Sequence, residues 1–515
     1  MKVIVSKLAL SFVGLLIVLC ICCRAKDQQA TDTTDNPTAT QTKQAQTKPN
    51  AVEPKPKQQS VTKSLGEPLN PVAKIGDYFI TKDELEKRLM KELRPNPYEH
   101  HKEDEVVDAN TVLLEMIAEK AMIIEARKQN YLEDKDIQTS LKRFAEGKLV
   151  NLLLARHMEG KIIVTEAEID EKIKSDPKLD RTRARMMLER EKANTVLDQY
   201  YSELYKKFNI QKVSVNFPIA ARIHQRLLYY PQKPREAGFI RIRQIDEEIT
   251  VAEKEIILAK FDGGKITLKD WFDTLCDMAP PRRPGDLGTP KGVEQLLERA
   301  LRKPIFVLEA KLNGLDKDKS FLRQLKEQED GMLLNKARQE KIKDIKGPIP
   351  KEQIVAYFER NKEIFGTEQK IKIDQIWCQD LETARKAKAQ LDNGKDFESV
   401  RKEYSFDKQG KAFDTSPSSE GMFFKDLWQG DPNEIVGPVK GFYGNAVKWR
   451  IVKVLEKKPG ELKDYSSDMK NRVETTILEE QRDATLGKYR KQLLKTYSYN
   501  IYAEIIKDID PLNIR

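Results

Sequence analysis

Few side chains in this chain could carry acid–base or metal chemistry, because only four histidines are present. His100 and His101 are adjacent, and adjacent residues on a helix point about 100° apart, which disfavours joint binding of one metal ion. No HExxH pattern or acidic companion at ligand spacing follows them. His157 and His224 are single residues close to arginines, and we interpret both as surface residues. The sequence therefore predicts no metal site.

Sequence patterns of other enzyme classes are also absent. The chain contains no Gly-rich phosphate loop, no GxGxxG and no Gly-x-Ser-x-Gly pattern, so neither a cofactor nor hydrolase chemistry is expected. The formal net charge is +10, but lysines and arginines alternate with acidic residues, as in 311–338. Mixed charges of this kind are typical of solvated helix faces. We therefore expect no nucleic-acid partner.

The amino terminus has the pattern of an export signal. Two lysines precede Leu8–Cys23, a stretch of sixteen uncharged residues that is short for a membrane span. The polar residues from 25 to about 70 predict a disordered tether. A signal core that ends in cysteine resembles that of a bacterial periplasmic lipoprotein, which implies lipidation at Cys23, with Cys22 as the alternative. An uncleaved anchor and plain secretion are the other interpretations, and all three predict an extracytoplasmic protein.

An internal repeat organises the middle of the chain. The segment Val72–Thr81 recurs as Leu258–Thr267, and each copy predicts two short strands, a turn and a helix start. Thr81 with Glu84, and Thr267 with Asp270, have the spacing of helix N-caps, the second as a weaker variant. Apolar residues after each copy recur at helical spacing: Val112, Leu113, Ile117, Ile124 and Ala126 correspond to Leu296, Leu297, Leu301, Leu308 and Ala310.

Two long amphipathic helices are predicted, over 182–207 and 465–496, and each continues into a short strand, 213–215 and 501–505.

The repeated hairpin, capped helix and second helix resemble the N-terminal chaperone module of the SurA/PrsA/PpiD group. In that group a C-terminal helix packs back onto the module. The resemblance therefore implies that each repeat has its own closing helix and that the modules bind unfolded polypeptides.

Residues 368–458 have a different pattern of strands and helices. Gly394–Phe397, Tyr404-Ser405, Gly437–Val439 and Trp449–Val454 resemble motifs of the parvulin prolyl isomerase domain. Active parvulins place two histidines behind the bound proline, yet this chain has no histidine after His224.

The resemblance assigns the family's catalytic positions to degenerate residues: Gln375, Asp407, Gly441 and Arg450. None of these four residues is assigned a catalytic role. We also expect Met422, Phe424 and Trp449 to contact a bound peptide.

The fold expected is α+β and mostly helical, with two SurA-N-like modules, one parvulin-like α/β domain and a long C-terminal helix. The expected segments are a signal peptide or anchor (1–23), a disordered linker (24–70), module 1 (71–215), a connector (216–250), module 2 (251–366), a degenerate parvulin-like domain (367–458), and a C-terminal helix with its tail (459–515).

The function expected is that of an ATP-independent chaperone that binds unfolded exported or outer-membrane proteins and is tethered to a membrane by its amino terminus. Two alternatives remain open at this point. One is an active parvulin-type prolyl isomerase that uses Gln375 and Asp407. The other is a lipoprotein scaffold for one dedicated partner.

Overall fold

The computed structural model describes residues 70–94, 107–228, 240–408 and 410–513. The predicted signal peptide with Cys23, nearly all of the polar linker, and the pair His100-His101 lie outside these ranges. Within them, no helix combines the length and the apolar character that crossing a membrane requires.

The described residues form short strands and many helices. The strands are β1 (Pro71–Ile75), β2 (Tyr78–Thr81), β3 (Gln211–Lys212), β4 (Ile257–Phe261), β5 (Gly264–Thr267), β6 (Lys370–Cys378), β7 (Phe413–Thr415), β8 (Ile435–Tyr443), β9 (Ala446–Lys458) and β10 (Tyr499–Ile501). The helices before residue 280 are α1 (Lys82–Leu93), α2 (Ala109–Lys128), α3 (Lys135–Met158), α4 (Glu166–Ser175), α5 (Arg181–Lys207), α6 (Phe217–Leu228), α7 (Ile242–Glu248), α8 (Val251–Lys254) and α9 (Leu268–Asp277). The later helices are α10 (Pro290–Leu312), α11 (Lys319–Ile342), α12 (Lys351–Arg360), α13 (Lys362–Phe365), α14 (Leu381–Asp392), α15 (Phe397–Tyr404), α16 (Pro417–Glu420), α17 (Phe424–Gln429), α18 (Lys470–Thr496) and α19 (Ala503–Ile506). The expectation of a mostly helical α+β fold is confirmed.

The two copies of the repeat have the same local structure. Each is an antiparallel hairpin, β1–β2 or β4–β5, and each has a register irregularity at the same place in its first strand. Thr81 and Thr267 both begin a helix with a complete capping box, in which the hydroxyl accepts from the third amide and the carboxylate accepts from the cap amide. Asp270 therefore caps as fully as Glu84, because its carboxylate reaches the Thr267 amide at 2.8 Å.

Each hairpin becomes a three-stranded sheet by adding a strand from far along the chain. The strand orders are β10–β1–β2 and β3–β4–β5, and all pairs are antiparallel. β3 follows α5 and pairs with the second hairpin, whereas β10 follows α18 and pairs with the first. The expectation that the helix over 182–207 closes the first repeat is therefore wrong, because the strand after it pairs with β4. The strands also begin two residues earlier than 213 and 501.

The chain divides into two compact units. One unit contains residues 135–329; the other contains 70–134 together with 330–513. This division differs from the expected module boundaries at 215 and 251, since α3 and α5 share one hydrophobic core with the second hairpin and α10. The expected connector also contributes, because α6 and α7 bury Phe217, Ile223 and Ile245 in that core.

In the second unit, the first hairpin packs with α2, the end of α11 and α18. Residues 370–458 of the same unit form a four-stranded antiparallel sheet in the order β7–β6–β9–β8. Apolar residues cover both faces of this sheet. Ile376, Cys378 and Ile451 pack with α14 and α15 on one face, and Ile371 and Val452 pack with α17 on the other.

Candidate functional site

The sheet of residues 370–458 brings three of the four degenerate positions together. Gln375 on β6 and Arg450 on β9 point to the same face, and Nη1 of Arg450 donates to Oε1 of Gln375 at 3.0 Å. Gly441 lies beside them on β8, where a Cβ atom would come 2.4 Å from Cζ of Arg450. Glycine at 441 therefore leaves room for the guanidinium group, and a larger side chain would displace it.

Arg450 is held in a buried ion pair. Its Nη2 donates to Oε2 of Glu420 at 2.6 Å, and Thr415 donates to the other carboxylate oxygen at 3.0 Å. Arg450 is 1% exposed and Glu420 6%. A buried ion pair adds stability only when both partners remain hydrogen-bonded, and removal of either partner is costly. We name Gln375, Thr415, Glu420 and Arg450 the arginine network.

The polar groups of the arginine network are bonded to one another. The Glu420 carboxylate accepts hydrogen bonds from both Arg450 and Thr415. The network can therefore fix β6, β9 and the segment 415–420 relative to one another.

Asp407, the fourth degenerate position, lies in the turn after α15. Its backbone N–H donates to Oγ of Ser405 at 3.2 Å, and that hydroxyl donates to the Asp407 carbonyl at 2.7 Å. This pair of bonds closes a tight turn. The turn lies beside the end of β6, because the Phe406 amide donates to the carbonyl of Trp377.

The three expected peptide contacts do not form one surface. Phe424 is buried at the start of α17 and packs against Ile371 and Val452, so its assignment as a peptide contact is corrected. Trp449 lies on the opposite face of the sheet from Arg450, because neighbouring residues in a strand alternate in direction. It packs with the cluster that contains α14 and α15. Met422 is half-buried in the turn between α16 and α17.

The sequence reasoning missed an aromatic cluster beside the arginine network. The ring of Tyr443 lies 5.3 Å from that of Trp377 and 4.8 Å from that of Phe406. The guanidinium carbon of Arg450 lies 5.2 Å from the Trp377 ring centroid. Phe406 is exposed. A signal was present, since Trp377 follows Gln375 by two residues in a strand and must share its face.

A second candidate site lies in the unit of residues 135–329. A cleft of about 2010 Å³ opens between α3, α5, α7, the second hairpin, α9 and α10. Its apolar lining includes Phe144, Met186, Leu197, Ile242, Phe261 and Leu308. Met186 and Ile242 are exposed, although large apolar side chains are usually buried. Nine Lys or Arg and seven Asp or Glu residues also line the cleft, so its apolar patches are surrounded by charges of both signs.

His224 lies in the core of the same unit and not on the surface, so its interpretation as a surface residue is wrong. It is 6% exposed and packs against the rings of Trp271 and Phe272. Burial, with a smaller contribution from the charge of Arg283, lowers the pKa of His224 to about 4. The α6 helix places it there because its apolar face includes position 224. His157 is half-buried, and its ring stacks on Tyr200 at 3.6 Å.

No model of a protein family matches the chain. Among curated proteins, it is 28% identical over 146 residues to the foldase protein PrsA 3 of Bacillus anthracis, and 27% identical to that of Bacillus cereus. The matched region is 27% of this chain and 46% of either relative, so the chain spans less than half the length of the curated relatives that it matches.

Among solved structures, one match is to a chain described with two structurally related SurA-like chaperones of Campylobacter jejuni, the virulence factor PEB4 and the periplasmic protein Cj1289. This match has a TM-score of 0.24 and 16% identity, and it covers 47% of this chain and 98% of the matched chain. PrsA of Bacillus subtilis matches with a TM-score of 0.17 and 21% identity, over 47% of this chain and 93% of the other.

The chain is similar to PrsA foldases over the matched 146 residues, as the resemblance to the SurA/PrsA/PpiD group predicts. The curated relatives that it matches are foldase proteins.

Proposed function

We propose that this protein is an extracytoplasmic, ATP-independent chaperone that holds unfolded polypeptides in the cleft of residues 135–329. The observation that carries the proposal is a cleft of about 2010 Å³ with exposed apolar residues among mixed charges. Pockets for small ligands are typically about 300–1,000 Å³. A larger, partly charged cleft suits a polypeptide segment better than a small molecule.

The side chains of the cleft favour binding of varied sequences. Met186 is unbranched and polarizable, and methionine adapts its shape to different partners. Exposed apolar patches with a polar rim are typical of protein-binding surfaces. The sequence contains no phosphate-binding loop, so we propose that holding and release depend on affinity alone.

We propose that the sheet of residues 370–458 binds extended peptide without efficient isomerisation. The arginine network supports this role, because Arg450 and Gln375 stand at the positions where active parvulins have histidines and are joined to each other. The aromatic cluster Trp377, Phe406 and Tyr443 offers an apolar surface at the same end of the sheet.

We further propose that the protein is exported and tethered to the membrane through a lipid on Cys23, and that its clients are secreted or outer-membrane proteins. The support is the apolar segment Leu8–Cys23 followed by a polar linker. Metabolic labelling with a radioactive fatty acid tests the tether: label is expected in the wild-type protein and absent after Cys23→Ser. Label that persists in Cys23→Ser but is lost in Cys22→Ser would assign the lipid to the neighbouring cysteine.

Two adjacent methionines provide a matched test of the cleft. Met186 is 44% exposed and lines the cleft, whereas Met187 is 42% exposed and lies outside its lining. The assay is aggregation of a reduced, denatured outer-membrane protein diluted into buffer, measured by light scattering with near-stoichiometric chaperone. Met186→Glu is expected to reduce suppression of aggregation several-fold, and Met187→Glu to leave it unchanged.

Equal effects of Met186→Glu and Met187→Glu would contradict the cleft as the client site. Absence of suppression by the wild-type protein would contradict the chaperone function itself. Circular dichroism of both variants serves as the control for folding.

A further inference from the structure

The second hairpin presents a free strand edge at the cleft. In the sheet of order β3–β4–β5, β5 pairs only with β4 among the described residues, so its other edge has no strand beside it. Four residues of this hairpin line the cleft: Phe261, Gly263, Lys265 and Ile266. An edge strand carries main-chain donors and acceptors that can pair with another extended chain.

Hydrogen bonds of β4 show which way its main-chain groups point. The Val213 amide, just after β3, donates to the carbonyl of Leu258 at 2.9 Å. The Asp262 amide donates to the carbonyl of Phe208, just before β3, at 2.8 Å. Leu258 and Asp262 therefore direct these groups towards β3 and away from β5.

Lys265 is the residue of β5 whose main-chain groups point to the free edge. Because the direction alternates along an antiparallel strand, Ala259 and Phe261 bond with β5. Their partners there are Ile266 and Gly264. Lys265 lies between these two partners, so its N–H and C=O point away from β4. Neither group has a hydrogen-bond partner among the described residues.

The main chain at this edge is accessible. Lys265 and Gly264 are both exposed, and the exposed surface of a glycine belongs entirely to the main chain. The Phe261 ring lies over Gly264, since a Cβ atom at 264 would come 2.6 Å from Cζ of Phe261. Glycine within a strand often marks the close approach of another backbone. A side chain opposite Gly264 on an added strand would share the face of the Phe261 ring and meet it.

A cation lies near the turn of the hairpin. Leu308 of α10 packs on this turn, where a Cβ atom at Gly263 would come 2.7 Å from Cδ2 of Leu308. Lys311 lies three residues later on the same side of α10 and also lines the cleft. Within the described ranges, Lys311 forms no ion pair. A carboxylate at the turn end of an added strand would therefore lie near an unpaired ammonium group.

We propose that an extended client segment adds to the free edge of β5 as an antiparallel fourth strand, the orientation of every pair in this sheet. The client residue opposite Lys265 exchanges two main-chain hydrogen bonds with it. An aromatic client residue opposite Gly264 packs on the Phe261 ring, and an acidic residue further towards the turn lies near Lys311. Main-chain pairing is independent of the client's sequence, which suits a chaperone that binds many clients. This inference rests on the proposed function, since it requires that the cleft holds polypeptide.

The test uses the purified full chain and a labelled synthetic peptide, with binding measured by fluorescence anisotropy. The peptide has nine residues and blocked termini, with phenylalanine at position 5, glutamate at position 7 and threonine elsewhere. Lys265→Pro and Lys265→Ala both lack the lysine side chain, but only the first lacks the edge N–H. Lys265→Pro is expected to bind about fivefold more weakly than Lys265→Ala, the usual effect of one neutral hydrogen bond.

The first repeat provides the matched control. Phe79 occupies the corresponding position on β2, which is also an edge strand, and it lies outside the cleft lining. Phe79→Pro and Phe79→Ala are expected to bind the peptide equally. Proline is tolerated in an edge strand where its nitrogen faces away from the neighbouring strand, and circular dichroism checks that Lys265→Pro is folded.

Methylation of single amide nitrogens of the peptide tests the pairing on the unchanged protein. With phenylalanine opposite Gly264 in an antiparallel strand, position 4 of the peptide lies opposite Lys265. Methylation at position 4 is expected to weaken binding about fivefold. Methylation at position 5, whose N–H points away from β5, is expected to leave the affinity unchanged.

Three results would overturn the inference. They are equal effects of methylation at positions 4 and 5, equal affinity of folded Lys265→Pro and Lys265→Ala, and tighter binding of the peptide with lysine at position 7. If Lys265→Pro does not fold, the methylated peptides decide alone. If the wild-type protein binds neither the peptide nor an unfolded protein, the chaperone function and this inference both fail. If it binds both and any of the three results is found, only the inference fails.

Discussion

Replacement of Glu420 by glutamine tests whether the arginine network is a structural element. The substitution keeps the size of the side chain and removes its charge, so the guanidinium of Arg450 stays buried without a counterion. Breaking a buried ion pair from one side typically costs about 3–5 kcal/mol. Because the glutamine oxygen can still accept one hydrogen bond, we expect a loss near the lower end, about 3 kcal/mol.

The loss of stability is measured by hydrogen exchange of the β6 and β9 amides. The chain has two compact units, and hydrogen exchange reports the stability of each region separately. The control is Glu403→Gln, which removes an exposed ion pair with Lys395 within residues 370–458 and is expected to leave the protection of the β6 and β9 amides unchanged, because exposed ion pairs contribute little to stability. If both substitutions reduce protection equally, the reasoning from buried charge is refuted.

Three further predictions concern single side chains. Gly441→Ala forces a methyl group against the buried Arg450 and is expected to cost about 1–3 kcal/mol, measured by hydrogen exchange of the β8 and β9 amides. Gly487→Ala in α18, where no atom lies within 4 Å of the new Cβ, is expected to stabilise by about 0.5–1 kcal/mol, measured in the same way on α18. Equal effects of the two substitutions would contradict the packing argument. Because the pKa of His224 is lowered to about 4 in the folded protein, the unfolded chain binds more protons between pH 6.5 and 4, and stability is expected to fall by about 3 kcal/mol as the pH decreases through this window. His224→Leu is expected to remove most of that dependence, and an unchanged pH profile of unfolding would refute it. In a protease-coupled assay with an Ala-Pro peptide, no isomerisation above background is expected, and a rate that disappears in Gln375→Ala would contradict the proposed non-catalytic role.

Several features could be predicted from the sequence because they depend on neighbouring residues. The capping boxes at Thr81 and Thr267 require only a hydroxyl and a carboxylate three residues apart, and both are present. The absence of histidine after residue 224 is a property of the sequence alone, and it excludes the parvulin histidine pair in any fold.

Other features were decided by contacts between distant residues. Alternation within β9 put Trp449 and Arg450 on opposite faces, but the sequence did not specify which face carries the arginine network. The partner of Arg450 is Glu420, thirty residues away, which no local pattern identifies.

The sequence by itself determined the repeated hairpins, their caps and the missing histidines, because each depends on residue type and short spacing. The tertiary structure alone decided that β3 pairs with the second hairpin and β10 with the first. It also decided that a cleft forms between α3, α5 and α10. Strand partners and cavities depend on how the whole chain minimises exposed apolar surface, and two copies of one repeat offer equivalent edges to either strand.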